Sequence, residues 1–185
     1  MTVGDRSDEE LMREVARGRA RPLEMLVRRY AVRLLTFLSR MVGDRHRAEE
    51  LFQDVFLAVW LKRHQYDPDR LFRPWLYAVA VNACRAGFRR RVLPTAELGE
   101  ADPADAGEAP SDRICAAETV AQVSRAVMLL PEQQRTVVCL RIWEEMPYAR
   151  IAEIVGCTEG TVRSHMHHGL VALRLHLQHL VESNA

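Results

Sequence analysis

The chain has no pair of cysteines at CxxC or other disulfide-like spacing; Cys84, Cys115, Cys139 and Cys157 lie far apart. That excludes a disulfide framework and predicts reduced thiols in a cytosolic protein, three of them packed as small apolar side chains. The amino terminus MTVGDRSDEE lacks the basic-then-apolar order of a signal sequence. No stretch approaches the roughly 20 apolar residues that span a bilayer. A soluble, cytoplasmic protein without membrane insertion is the expectation. Net charge is almost absent as well, since 26 Lys+Arg against 25 Asp+Glu leave +1, so bulk charge by itself points to no nucleic-acid partner. Strand-like alternation and internal repeats are missing too.

What remains is helical periodicity, in a chain whose 185 residues suit one ordinary domain or two small ones. Ser7 followed by Glu10 fits a capping box opening a short helix that Gly18 closes. Pro22 suits a first helical position, and Leu23, Leu26, Val27, Tyr30, Leu34, Phe37, Leu38 and Met41 form one stripe ending at Gly43. Asp44 caps the next helix, whose apolar positions are Leu51, Phe52, Val55, Phe56, Val59 and Trp60. A loop with Asp67, Pro68 and Asp69 precedes a helix from about residue 73 to 91. Helices near 113–130, 132–144, 147–155 and 159–181 follow.

Charge is distributed unevenly. Lys62, Arg63, Arg70, Arg73, Arg85, Arg89, Arg90 and Arg91 face only Asp67 and Asp69 in residues 62–91, whereas residues 92–112 hold acids and no Lys or Arg. The latter stretch is rich in Pro, Ala and Gly and has no apolar period, so it reads as a flexible acidic linker. Its 21 residues span roughly 25 Å as a coil. The expected fold class is therefore all-α: two small helical domains, residues 1–91 and 113–185, joined by a linker over residues 92–112.

Near the carboxy terminus, Ile151, Ala152, Ile154 and Val155 give a short helix an apolar face that Gly156 ends. Thr158 caps the next helix, where Val162, Met166, Gly169, Leu170 and Leu173 form the inner stripe. Helix, short glycine turn, helix is a helix-turn-helix. At about 100° per residue, Arg163, Ser164, His165, His167 and His168 fall outside that stripe. His165 and His168 share a face with His167 swung away, so three ligands do not converge on one ion, and no HExxH-like carboxylate accompanies them. No nucleophile with a partner base is visible either. A solvated polar face and a DNA-facing surface remain, the second helix of this motif being the one that enters the major groove.

Three segments resemble the extracytoplasmic-function (ECF) group of bacterial RNA polymerase sigma factors. LPEQQRTVVCLRIWEEMPYARIAEIVGCTEGTVRSHMHHGLVALR, residues 130–174, is similar to the family's carboxy-terminal domain, which reads the −35 promoter element. AEELFQDVFLAVW and FRPWLYAVAVNACRAGFRR, residues 48–60 and 72–90, are similar to the amino-terminal domain, which binds core polymerase and opens the −10 element. The resemblance implies docking on the β′ clamp helices through Glu50, Gln53, Asp54 and Phe56, although Phe56 and Trp60 also fit a core. It implies −10 contacts by Tyr66, Arg73, Asn82, Arg85, Arg89 and Arg90, with Asn82 reading a base edge. Tyr66 either stacks on a base or anchors its loop, and Trp75 fits the core. Thr161, Arg163, Ser164, His165, His167 and His168 are then the −35 surface.

Partners so implied are core RNA polymerase, through β′ and the β subunit, promoter DNA, and an anti-sigma factor; no cofactor, metal or catalytic residue follows. Departures from the family pattern are Ala86 where Asp is usual, Gly87 after it, Arg150 where Glu is favoured, and His165 and His168 where Arg or Lys is frequent. Histidine, with a reference pKa of about 6.5, attracts phosphate less than Arg near pH 7, so duplex affinity at fixed salt should rise as pH falls from 8 to 6. The competing class is a stand-alone helix-turn-helix regulator, with residues 23–91 as a sensor or dimerisation domain, binding duplex DNA without polymerase.

Overall fold

The computed structural model describes residues 6–92 and 111–183, the side chains of 89–92, 111–119 and 179–183 excepted. Apart from its ends, the expected linker lies outside the described residues. Those described form helices and their connections without a strand, in two compact units.

In the first unit, helix α1 (Asp8–Ala16) begins with the expected capping box. The Glu10 N–H donates to Ser7 Oγ at 3.1 Å and the Ser7 N–H to Glu10 Oε2 at 2.9 Å. Helix α2 (Ala20–Val42) starts two residues ahead of Pro22, which sits in the first turn where a missing N–H has no intrahelical partner to lose. Asp8 joins the two helices by accepting hydrogen bonds from the Arg29 guanidinium and the Tyr30 hydroxyl. Burial, then the bond to Asp8, pushes the Tyr30 phenol well above its ordinary range. Helix α3 (Arg45–Leu61) is capped by Asp44, whose Oδ1 accepts from the Arg47 N–H at 2.6 Å. A single 3-10 turn, Arg63–Gln65, leads toward α4 (Phe72–Val92). The core is built from Leu11, Met12, Leu34, Phe37, Leu51, Leu76 and Tyr77, all at most 2% exposed.

Helix α1 packs against α4 and the 3-10 turn, and Glu9 Oε1 accepts the Phe72 N–H at 3.0 Å, satisfying a donor that α4 itself leaves open. Burial raises the Glu9 carboxyl, but hydrogen bonds from Phe72, its own backbone and Ser7, with the Arg13 charge, outweigh that and hold it below its ordinary range. A carboxylate held down in the folded chain stabilises it fully above the unfolded value, about 4.3, and the contribution fades as pH falls through the lower folded value. Thermal unfolding stepped downward from about pH 5 should therefore show a steeper loss in the native chain than in Glu9→Gln. Equal slopes would remove this role from Glu9.

The second unit takes in Ser39–Arg47, the end of α2 and the start of α3, together with α5 (Ser111–Met128), α6 (Glu132–Val138), α7 (Tyr148–Val155) and α8 (Glu159–Ser183), with α8 packed on the other three of these last helices. Instead of one helix through residue 144, α6 gives way to a π-helical turn, Cys139–Trp143, closed by the Glu144 N–H donating to Cys139 O at 3.3 Å. The wider turn keeps Cys139 and Leu140 buried while Arg141 and Ile142 reach the surface. Arg135 is buried, and its Nη2 donates to Met128 O at 2.7 Å and Leu130 O at 3.0 Å, satisfying carbonyls at the end of α5.

Candidate functional site

Two surfaces, one on each unit, carry the residues singled out by sequence. On α3, residues spaced to face the core, Leu51, Val55 and Val59, are buried, and Glu50, Gln53 and Asp54 on the opposite side are exposed. Two apolar side chains share the exposed side of this helix, Leu57 at 57% and Leu61 at 66% exposure, which the sequence reading passed over. Phe56 departs from its place in the docking set. It is 7% exposed and meets Phe52 edge to face at 5.1 Å, because it lies one step from Val55 within the apolar arc. Trp60 is half-buried, with the Arg63 guanidinium 4.4 Å from its ring centroid.

On α4, Asn82 is exposed and Arg85, one turn later, is half-buried. Arg73 is half-buried with its guanidinium 5.9 Å from the Tyr77 ring centroid. Ala86 and Gly87, the two departures, are half-buried within the helix. Arg89 and Arg90 continue α4, their side chains lying outside the described residues.

Tyr66 is not a free base-stacking platform. Its ring is 6% exposed, edge-on to Trp75 at 5.2 Å and Phe72 at 6.1 Å, and its hydroxyl donates to Arg70 O. Burial pushes the phenol up to about 12. Of the two roles open to it, the loop anchor is the one this packing supports, and half-buried Trp75 belongs to the same cluster. The loop itself turns on Asp67, whose Oδ1 accepts the Asp69 N–H at 3.0 Å, leaving Asp67, Pro68, Asp69 and Arg70 exposed.

The helix-turn-helix of the second unit follows from its turn chemistry. Gly156 ends α7 in the left-handed conformation at φ 78°, donating its N–H to Ala152 O at 2.9 Å. Thr158 Oγ1 accepts the Thr161 N–H at 3.1 Å and caps α8. Val162, Met166, Gly169 and Leu173 are buried, whereas Leu170, expected in that stripe, is 45% exposed because it stands at the stripe's edge. Thr161, Arg163, Ser164, His167 and His168 are exposed and His165 is half-buried. The His167 ring meets that of His168 edge to face at 5.6 Å, as flexible side chains on adjacent residues can. Among the described residues no group of three or more His, Cys, Asp or Glu side chains is placed to hold a metal ion.

Arg163 is engaged twice. It pairs with Glu159 one turn earlier on α8, and its guanidinium carbon lies 4.6 Å from the centroid of the Tyr148 ring. Arg141 approaches the same ring at 4.9 Å and donates from Nη1 to Met146 O at 3.0 Å. The sequence contained a sign of the first contact, since Glu159 and Arg163 stand at i,i+4. The convergence on Tyr148 had none, because it joins three separate elements.

Residues 26–92 match Sigma-70 region 2, and residues 121–173 match Sigma-70, region 4. The chain is 30% identical over 184 residues to the RNA polymerase sigma-H factor of Pseudomonas aeruginosa, a match covering 94% of this chain and 95% of that protein. It is 27% identical over 180 residues to the ECF RNA polymerase sigma factor SigW of Bacillus subtilis, covering 91% and 96%. Among solved structures, CnrH in complex with the cytosolic domain of CnrY aligns with a TM-score of 0.70 at 22% identity, over 96% of this chain and 99% of that one. Sigma factor RpoE from Bartonella quintana, in complex with the anti-sigma factor NepR, aligns at 0.65 and 20% identity, over 84% and 96%. Both share the fold. The chain belongs to the ECF group of RNA polymerase sigma factors, which are transcription initiation factors. No helix among the described residues is long and apolar enough to cross a membrane.

Proposed function

We propose a division of labour between residues 1–91, which dock on core RNA polymerase and open the −10 element, and residues 113–185, which read the −35 duplex, with residues 92–112 as the tether. The observation that carries this reading is the pairing, in one chain, of a region 2 match bearing an exposed Glu50, Gln53, Asp54 strip with a region 4 match bearing an outward polar face on α8. The strip is the side of α3 offered to the β′ clamp helices. Strand opening requires positive charge along the phosphates and a polar group for an unpaired base. Arg73, Arg85, Arg89 and Arg90 supply the first, and the exposed Asn82 amide, with both a donor and an acceptor, the second.

In the second domain Thr161, Arg163, Ser164, His165, His167 and His168 form the −35 surface. The chain performs no bond chemistry in this scheme; the polymerase supplies nucleotide transfer. The protein works in the cytoplasm, where polymerase and promoter are, and a separate anti-sigma protein restrains it, as the family resemblance implies.

The test is binding to sigma-free core polymerase by the parent chain and by a Gln53→Ala, Asp54→Ala double variant. The variant should bind at least roughly tenfold more weakly, a loss of about 1.4 kcal/mol or more. Undiminished binding would move the docking face elsewhere on the first domain. No binding by the parent chain would end the sigma-type division of labour.

A further inference from the structure

Tyr148, the first residue of α7, stands where three elements of the second unit meet: its ring has the Arg141 guanidinium from the π turn at 4.9 Å and the Arg163 guanidinium from α8 at 4.6 Å. The electron-rich ring attracts each cation and so draws two like charges to one side chain. A guanidinium held by its face keeps its N–H groups pointing outward in its own plane, the geometry that suits bidentate contact with phosphate. Arg141 is fixed further by its donation to Met146 O at 3.0 Å. Arg163 has Glu159 as its anionic partner, with side chains 61% and 44% exposed. An ion pair so open to water is weak and readily exchanged.

In a helix-turn-helix the first helix crosses the DNA backbone while the second lies in the groove. Tyr148 opens the first and Arg163 belongs to the second. We infer that Tyr148 is a positioning residue: its ring presents Arg141 and Arg163 to duplex phosphates, and a phosphate takes the place of Glu159 when DNA binds. This role rests on the proposed reading of residues 113–185 as a DNA-binding domain. Tyr148 itself need touch no base, and its effect is on the charge that the two arginines deliver.

Phosphate contacts are independent of sequence, so the full-length chain can be tested with a fluorescent mixed-sequence duplex, by anisotropy over a salt series from about 50 to 200 mM. Tyr148→Leu should flatten the slope of log affinity against log salt by about 0.9 for each arginine released and weaken binding by roughly three- to tenfold. Tyr148→Phe, which keeps the ring face, should restore the parent slope. In an Arg163→Gln background, Tyr148→Leu should cost less than it does alone, because the two act on one contact. Thermal unfolding verifies that each variant folds, and Tyr148→Met supplies the same comparison if Leu does not.

An unchanged slope in the folded Leu or Met variant, a Phe variant as impaired as Leu, or strict additivity with Arg163→Gln would overturn the role of Tyr148. A parent chain that binds no duplex at the lowest salt would instead overturn the DNA-binding reading beneath it.

Discussion

Phe37→Ala should lower the unfolding free energy by about 3–5 kcal/mol, the cost of removing a large buried ring and leaving a cavity. The side chain is 1% exposed and meets Tyr77 edge to face at 5.1 Å, an arrangement that adds about 0.5–1.5 kcal/mol beyond area burial. Domains of this size have only about 5–15 kcal/mol in hand, so the loss is a large share of the total. The contact also joins α2 to α4, the helix that carries Asn82 and Arg85, so on the proposed division of labour promoter opening should fall with stability. Urea unfolding followed by circular dichroism measures it. A change below about 1 kcal/mol would mean that the surrounding side chains close the cavity almost completely.

Gly169→Leu should cost about 1–3 kcal/mol and, on the proposed reading of α8 as the −35 surface, reduce duplex binding with it. Gly169 is buried on α8, and a Cβ there would stand 2.8 Å from Val138 Cγ2, 3.6 Å from Gln134 Cβ and 3.8 Å from the Gln134 carbonyl oxygen. Val138 is β-branched and helical, with one strongly preferred rotamer, so it has little freedom to turn away. The larger side chain therefore pushes α8 off α6, and His168, the preceding residue, moves with it. Gly169→Ala isolates the contact: it gains about 1 kcal/mol of helix propensity and pays the same close approach. Unchanged thermal stability and unchanged duplex affinity in the Leu variant would show that α6 yields without consequence.

Much of this fold was readable from local chemistry. Ser7 with Glu10, Asp44, Gly156 and Thr158 each mark a helix end whose hydrogen bond is now seen, because caps depend on residues a few positions apart. The π turn was not readable, since one residue of extra winding leaves an apolar pattern that an ordinary helix would also fit. Phe56 and Leu170 lie at the two margins of apolar stripes, where a difference of a few tens of degrees decides between core and surface. Tyr66 was ambiguous for another reason: its burial depends on Phe72 and Trp75, which the chain brings back only after a turn. The outward residues of α8 were legible from periodicity, and the partners of Arg163 across the domain were not.

The cysteines give each unit its own clock. Cys84 and Cys139 are buried at 1% exposure in the first and second units respectively, whereas Cys157 is half-exposed in the turn between α7 and α8. A thiol reagent reaches a buried sulfur only when the surrounding structure opens, so modification of Cys84 and of Cys139 reports the opening frequency of each unit separately. Read peptide by peptide by mass spectrometry after thiol modification of the intact chain, the two rates would tell which unit polymerase or a DNA duplex quiets on binding, with no cysteine introduced or removed.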